Sequence, residues 1–394
     1  MKKILGLTCI LLATLILVYV IYNKSENTKT TRAFSNYTLI SSAWEKYKGQ
    51  FIQNDGRIID YSQSAITTSE GQSYALLRAV WSDDKDAFDI VWKWTKENLK
   101  RKDDNLFGWK WGQRQDKTFG FLENGGENSA SDADTDIALS LILAGRRWGD
   151  QSYIEQAKPI LADIWAKEVV SFKGKNYLSA GNWANLPGEI VLNPSYFSPY
   201  AWRLFAQVET TSSTRDWNSL VDPAYTILET TRDSKLDKAS AVGLPPDWIS
   251  IDKLTGELKI PTIAGLTTNY SYDAMRIPWR IAVDYQWNKE ERSLNYLLSA
   301  FKKLRDDYLQ TGKLGTSYSH EGNIINHTES PLMYSTALGY FKSTDSNLAK
   351  KTYQEKIIQL YSNDTNSFKE EIPYYEQNWL WFGAALYNNR IIPF

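Results

Sequence analysis

The chain has 394 residues, 42% of them hydrophobic and 23% charged, which excludes global disorder and leaves room for one large domain or two ordinary ones. Lys and Arg total 45 against 46 Asp and Glu, a net charge of -1 that argues against nucleic acid as the main partner. A single cysteine, Cys9, excludes an internal disulfide and a four-thiolate zinc site, and only two histidines, His320 and His327, leave acid–base chemistry to carboxylates.

Lys2 and Lys3 precede an uncharged apolar run from Ile4 to Tyr22. Its length is close to the roughly 20 residues a helix needs to cross a bilayer, and exceeds the 7–15 or so of a signal-peptide core. It ends in Val18-Tyr19-Val20-Ile21-Tyr22, with no small-x-small cleavage site and with tyrosines suited to the membrane interface. The expectation is residues 1–3 in the cytoplasm, 4–22 as a transmembrane signal anchor and the rest of the chain outside. A cleaved signal peptide, and hence secretion, is the alternative. Residues 23–33 are polar and read as a linker to a domain over 34–394.

Beyond Asn36 the apolar residues recur at helical spacing. The expected helices are Tyr37–Phe51, Gly71–Trp81, Lys85–Leu99, Asp134–Trp148, Tyr153–Val169, Tyr196–Val208, Arg215–Glu229, Tyr272–Asp284, Glu290–Leu309, Pro331–Phe341, Asn347–Leu360 and Asn378–Tyr387. Trp148-Gly149-Asp150 reads as a helix stop and restart. About twelve helices without a sequence repeat predict an all-α fold, a closed (α/α)6 toroid of six hairpins, with an irregular helical domain as the plain alternative.

Three segments carry candidate chemistry. In Thr68-Ser69-Glu70-Gly71-Gln72-Ser73, Ser69 is the expected N-cap and Glu70 the first helical residue. A lone acid there also serves the helix dipole, a surface effect of about 0.3–1 kcal/mol, so the segment does not by itself separate catalysis from capping. In Ser131-Asp132-Ala133-Asp134-Thr135-Asp136 three acids alternate. A calcium loop is rejected because its sixth and twelfth positions are Ile137 and Leu143. Asp132 and Asp136 repel at i,i+4, and three acids exceed what a cap requires. In Tyr272-Asp273-Ala274-Met275-Arg276, the acid and the arginine meet at i,i+3, as a surface ion pair or as a base kept ionised by a lowered pKa. The 16 Trp and 24 Tyr are a surplus for a core, since each buried N–H or O–H needs a partner, and suggest a groove that stacks on flat sugar rings.

Taken in order, SEGQSYALL, ASDADTDIALSLILA, NPSYFSPYAW and SYDAMRIPWR resemble glycoside hydrolase family 8, over nearly the whole chain from about Tyr37. The resemblance implies the toroid and an inverting mechanism. By position it makes Glu70 the general acid, Asp273 the general base and Asp132 the acid that holds and distorts the sugar at the cleavage point. Tyr196 and Arg276 match residues around the catalytic water and base, and Trp109 and Trp183 match stacking positions. Tyr272 joins them as a cleft aromatic. Where the family commonly reads Glu-Gly-Gln-Gly-Tyr-Gly, this chain has Ser73 and Ala75, a departure that bears on subsite shape. No metal or cofactor is implied.

The resulting expectation is a monomeric, outward-facing, membrane-anchored endo-hydrolase of a β-1,4-linked polysaccharide, a glucan or amino-sugar polymer of the bacterial cell surface or biofilm. It would act alone or beside an exopolysaccharide synthase complex. A non-catalytic glycan-binding component of such a complex is the alternative, and a helical-toroid lyase is disfavoured by the neutral charge.

Overall fold

The computed structural model describes residues 19, 39–209, 214–362, 364–365, 367–369 and 371–394. The anchor, linker and domain boundary expected over 1–33 therefore lie, apart from Tyr19, outside the described residues. Among these, no helix is long and apolar enough to cross a membrane.

Local signals set the helix ends. The first helix, α1, covers 39–51. In α2 (Ser69–Ser82) the Thr68 hydroxyl accepts the Gly71 N–H at 3.0 Å, so Thr68 and not Ser69 is the N-cap. Then come α3 (Lys85–Asn98), α4 (Ser131–Trp148) and α5 (Gln151–Lys167). Between the last two the chain turns as expected: Gly149 takes φ 67°, and Asp150 accepts the Ser152 N–H at 3.0 Å. The series continues with α6 (Pro199–Val208), α7 (Val221–Asp233), α8 (Ile277–Asn288), α9 (Glu291–Ser299), α10 (Lys302–Thr311), α11 (Pro331–Thr344), α12 (Ser346–Thr352) and α13 (Tyr374–Tyr387).

Several expected helices are interrupted. The segments expected from Tyr196 and Tyr272 begin instead with 3-10 turns, Pro194–Tyr196 and Ala274–Arg276, and the one expected from Arg215 with Trp217–Leu220. The segment Glu290–Leu309 breaks into α9 and α10 where Phe301 takes φ 60°. After α12 the chain passes through a π turn and a 3-10 turn up to Leu360.

Packing arranges these helices in two layers. Among the described residues α2, α4, α6, α8, α11 and α13 pack each on the next, and α13 returns to α2. The closing seam is formed by Arg78 donating to Asn378 at 3.0 Å and by Tyr74 against Trp379, centroids 5.6 Å apart. Outside them, α3, α5, α7, α9 and α12 lie each against an inner neighbour, α1 meets α13 where the Trp381 N–H donates to the Ile40 carbonyl, and α10 meets α11 through Tyr308 and Tyr334, as in an (α/α)6 toroid. Inner helices are covered on all sides, and every residue of α4 from Ser131 to Gly145 is buried.

The ring's middle is aromatic. Trp279 on α8 meets Trp379 at 5.6 Å, Phe382 at 5.5 Å, and Trp81 and Tyr200 at 6.4 Å. Trp44, Trp202, Trp217, Trp379 and Trp381 are fully buried. Much of the tryptophan surplus is thus core and not sugar platform, contrary to the sequence expectation. Trp202 and Trp379 bury their indole N–H without a hydrogen-bond acceptor.

The fold also contains short antiparallel sheets that an all-α reading omits. Those that precede the site-bearing helices are β1 (Thr67–Thr68), β2 (Lys110–Gln113) and β3 (Phe119–Phe121) in one sheet, the hairpin β4 (Val169–Phe172) and β5 (Lys175–Leu178), and β6 (Glu189–Leu192), β7 (Ile249–Asp252) and β8 (Leu258–Lys259) in another. Each is two to four residues long, too short to produce a readable alternation. They fall in the connections that lead into the inner helices α2, α4, α6 and α8, and so gather at the end of the ring where those helices begin.

Candidate active site

The side chains at the centre of the candidate site lie at or just before the N-termini of inner helices. Glu70 is in the first turn of α2, Asp132 in the first turn of α4, and Ser195 and Tyr196 in the turn ahead of α6. Asp273 and Arg276 flank the 3-10 turn into α8, and Tyr375 opens α13. Helix N-termini carry partial positive charge, so a ring of them is a favourable surround for carboxylates.

The centre is a single guanidinium. Arg276, 1% exposed, donates through Nη1 to Glu70 Oε2 at 2.7 Å and to Asp132 Oδ2 at 2.9 Å, and through Nη2 to Asp273 Oδ1 at 2.7 Å. Its remaining contacts are Ser195 Oγ at 2.7 Å, the Tyr74 hydroxyl at 3.3 Å and the Asp273 carbonyl at 3.3 Å. The Tyr196 ring lies 5.2 Å from its Cζ. Three acids from segments more than 60 and 140 residues apart in sequence therefore share one cation. The surface ion pair considered for Asp273 and Arg276 is not what forms.

Exposure divides the acids. Asp132 is 3% exposed at its side chain, whereas Glu70 and Asp273 show 26% and 32% and are partly open to solvent. Because both outer acids sit on one guanidinium, their nearest oxygens are within about 8 Å, a bound compatible with the roughly 6.5–9.5 Å at which inverting hydrolases hold their acid and base.

Burial dominates the titration. Glu70 is pushed up to about 7, first by desolvation, which Arg276 opposes and the charges of Asp132 and Asp273 reinforce. Asp273 is also raised, by desolvation first, with Arg276 pulling it back and Asp132 pushing it up. The sequence expectation was a lowered pKa for Asp273. It fails because Arg276 is divided among three carboxyls in a desolvated site, so its charge offsets only part of the burial. Three acids on one cation retain a proton near neutrality, and Glu70 is a group that holds it there.

The middle acidic motif splits into three roles. Asp132 joins the site. Asp136, 2% exposed, makes a two-pronged pair with Arg280 at 3.0 and 2.9 Å, and Arg280 also reaches Ser198 and Tyr200 at 2.7 and 2.9 Å. The i,i+4 repulsion read between Asp132 and Asp136 is thus answered by Arg276 and Arg280, spaced by the same four residues. Asp134 points the other way, accepting the Phe107 N–H at 2.9 Å. Surface capping explains none of the three.

The aromatic positions line the groove unequally. Trp109 is 39% exposed, its N–H held by the Gly125 carbonyl at 2.9 Å and its own carbonyl accepting the Ser69 N–H at 3.2 Å beside Glu70. Trp183 is half-buried against Trp248, ring centroids 6.3 Å apart. Tyr272 is exposed, and the Tyr375 hydroxyl donates to its carbonyl at 3.1 Å.

Four contributors went unread in the sequence. Trp248 donates to Asp273 Oδ2 at 3.1 Å, and Asp247 beside it accepts the Ser271 and Ala274 N–H groups at 3.0 and 2.8 Å. Burial and the charge of Asp273 push Asp247 up to about 7. Ser195 and Tyr375 complete the set. Trp248 follows Leu-Pro-Pro-Asp in a loop, with no periodicity or motif to mark it; Ser195 stands between Pro194 and Tyr196, where the aromatic residues dominate the pattern and a small hydroxyl does not stand out. Among the described residues no group of three or more His, Cys, Asp or Glu forms a metal-holding cluster.

Comparison with known proteins agrees with this geometry. The model of the glycosyl hydrolases family 8 matches residues 18–378. Endoglucanase A of Acetivibrio thermocellus is 30% identical over 338 residues, 81% of this chain and 64% of that protein, and an endoglucanase of Cellulomonas uda is 34% identical over 242 residues, 61% of this chain and 63% of that protein. The matched stretches span just under two thirds of the length of these curated relatives. Among solved structures, the endo-1,4-D-glucanase from Vibrio fischeri ES114 superposes with a TM-score of 0.73 at 26% identity, covering 88% of this chain and 94% of its own. A β-1,3-1,4-glucanase from Paenibacillus sp. X4, at 22% identity and TM-score 0.74 over 91% of this chain and 93% of that one, shares the fold. The chain belongs to glycosyl hydrolase family 8.

Proposed function

We propose that the chain cleaves internal β-1,4 linkages of a polysaccharide with inversion at the anomeric carbon. The observation that carries this reading is the convergence of Glu70, Asp132 and Asp273 on the buried Arg276, with two of the three acids partly open to solvent. Glu70, protonated up to about pH 7, gives its proton to the glycosidic oxygen as the C–O bond breaks. Asp273 takes a proton from the water that attacks the anomeric carbon from the opposite face. Asp132, held by Arg276, binds a hydroxyl of the sugar at the cleavage point and favours its distortion. Trp109, Trp183, Trp248, Tyr196 and Tyr272 offer ring faces to successive sugars.

The endoglucanase names of the relatives support a β-1,4-glucan as substrate. The apolar run at 4–22 supports attachment of the domain 34–394 to the outer face of the cell membrane, and so a role in trimming a surface glycan. The test is to incubate the chain from Ala33 onward with carboxymethyl cellulose, mixed-linkage glucan, chitosan and xylan. The expected result is a fast fall in viscosity with little reducing-end release on the first or second polymer, and α-anomers as the first products by NMR. Intact polymers throughout, or β-anomers first, would overturn it.

A further inference from the structure

Asp134 and Glu168 are fully buried acids that the proposed chemistry does not use. Their carboxyls are hydrogen-bonded to each other, which two carboxylates cannot be, so the contact itself requires a proton. Asp134 Oδ2 and Glu168 Oε2 are buried and accept no N–H or O–H from the described residues. The charged groups that face the pair are acids already matched elsewhere: Asp104 with Arg101 at 3.0 Å and Asp132 with Arg276 at 2.9 Å. Among the described residues no cation pairs with either carboxyl.

The outer oxygens of the pair reach two groove loops. Asp134 Oδ1 accepts the N–H of Phe107, two residues before Trp109. Glu168 Oε1 accepts the Ser129 hydroxyl at 2.7 Å. Ser129 in turn is held by Asn182: its N–H donates to the Asn182 side-chain oxygen at 2.8 Å, and its hydroxyl accepts the Asn182 N–H at 3.0 Å. Asn182 immediately precedes Trp183. Close packing leaves no slack in this connection, since a Cβ on Gly181 would lie 2.2 Å from the Ser129 carbonyl and 2.8 Å from the Trp183 indole nitrogen.

We propose that Asp134 and Glu168 are positioning residues that share a proton and so clamp the Trp109 and Trp183 loops to the start of α4, setting the width of the groove between its two sugar-stacking walls. Loss of the proton sets two buried negative charges against each other and loosens both walls together. Burial raises both acids, Glu168 to about 8, which puts the release on the alkaline side of neutrality. The clamp also gives the fold a sign: stability is full below the ordinary pKa of a free glutamic acid and declines as pH rises through about 8.

Glu168→Gln keeps the geometry without the titration, because its amide oxygen accepts from Ser129 and its NH2 donates to an ionised Asp134. The tryptophan roles rest on the proposed hydrolase reading, so two readouts are used. In the Glu70→Gln background, calorimetric Kd for cellohexaose is expected to rise about fivefold between about pH 7 and about pH 9, and to stay flat when Glu168→Gln is added. Independently of substrate, infrared difference spectra of otherwise wild-type protein at neutral pH should contain a protonated-carboxyl C=O band that Glu168→Gln or Asp134→Asn removes and that fades above about pH 8 in the wild type. If that band is identical in all three proteins, or if cellohexaose binds with the same pH dependence with and without Glu168→Gln, the clamp is wrong. If the band behaves as expected while cellohexaose binds at no pH, the proton is shared as proposed and the glucan reading is what fails. Should Glu168→Gln not fold, Asp134→Asn gives the same comparison of band and pH dependence against the wild type.

Discussion

Arg276 is where the site is decided, because among the described residues it is the one guanidinium in contact with Glu70, Asp132 and Asp273. Its effect on Glu70 is to oppose the rise that burial causes, with a net pKa of about 7. Since the proposed reaction needs that proton, kcat/KM should fall as pH rises through about 7. Arg276→Lys replaces a fork by a point charge that cannot hold three carboxyls at once. The pull on Glu70 then weakens, so the alkaline limb should move to higher pH while kcat drops by about 10²-fold or more. A pH–rate profile whose limb stays put or moves down would contradict the role given to Arg276. Glu70→Gln should lower kcat by about 10²–10⁴-fold and leave oligosaccharide binding within a few-fold. The three acids that meet at Arg276 all stand in the ordered motifs, and the Asp273–Arg276 contact follows from spacing alone. Their sharing of one cation was not, because it depends on three helices arriving at one point, and the pKa direction of Asp273 was misread for that reason.

At the level of elements, the helices were legible where their faces and stops are local. The 148–150 turn is the clear instance. Boundaries failed where tertiary contacts overrule propensity: α4 starts at Ser131 and not Asp134 because the Ser131 hydroxyl donates to the Ser179 carbonyl at 2.6 Å and its N–H to the Ala180 carbonyl at 3.2 Å. That three-residue extension is what draws Asp132 into the first turn. The start of α2 is constrained from outside as well. A Cβ at Gly71 would lie 1.8 Å from the hydroxyl of Tyr374, the first residue of α13. Gly71→Ala gains helix propensity yet must displace that ring, so a net loss of about 1–3 kcal/mol is expected in urea unfolding. Tyr374→Phe removes the clashing oxygen and should recover part of it, giving a favourable coupling in the double-mutant cycle. Additive effects would mean the glycine is needed for another reason.

The toroid as a whole puts all inner-helix starts at one end, which is why acids from positions 70, 132 and 273 can meet although no local pattern connects them. A ring of hairpins has one vulnerability, the seam where its last inner helix meets its first. Trp379 occupies that seam, 1% exposed, edge-on to Tyr74 of α2 and to Trp279 of α8 at 5.6 Å each, so it joins neighbours across the joint to the far wall. Its indole N–H has no acceptor, so its contribution is packing and not hydrogen bonding. Trp379→Ala removes a large buried ring and should destabilise by about 3–5 kcal/mol. If the ring closes as one cooperative unit, urea unfolding followed by tryptophan fluorescence and by far-ultraviolet dichroism should shift together to a lower midpoint with an unchanged slope. Separate transitions by the two probes would mean that hairpins next to the seam unfold on their own, and that the site, built from the starts of five inner helices, is lost before the fold is.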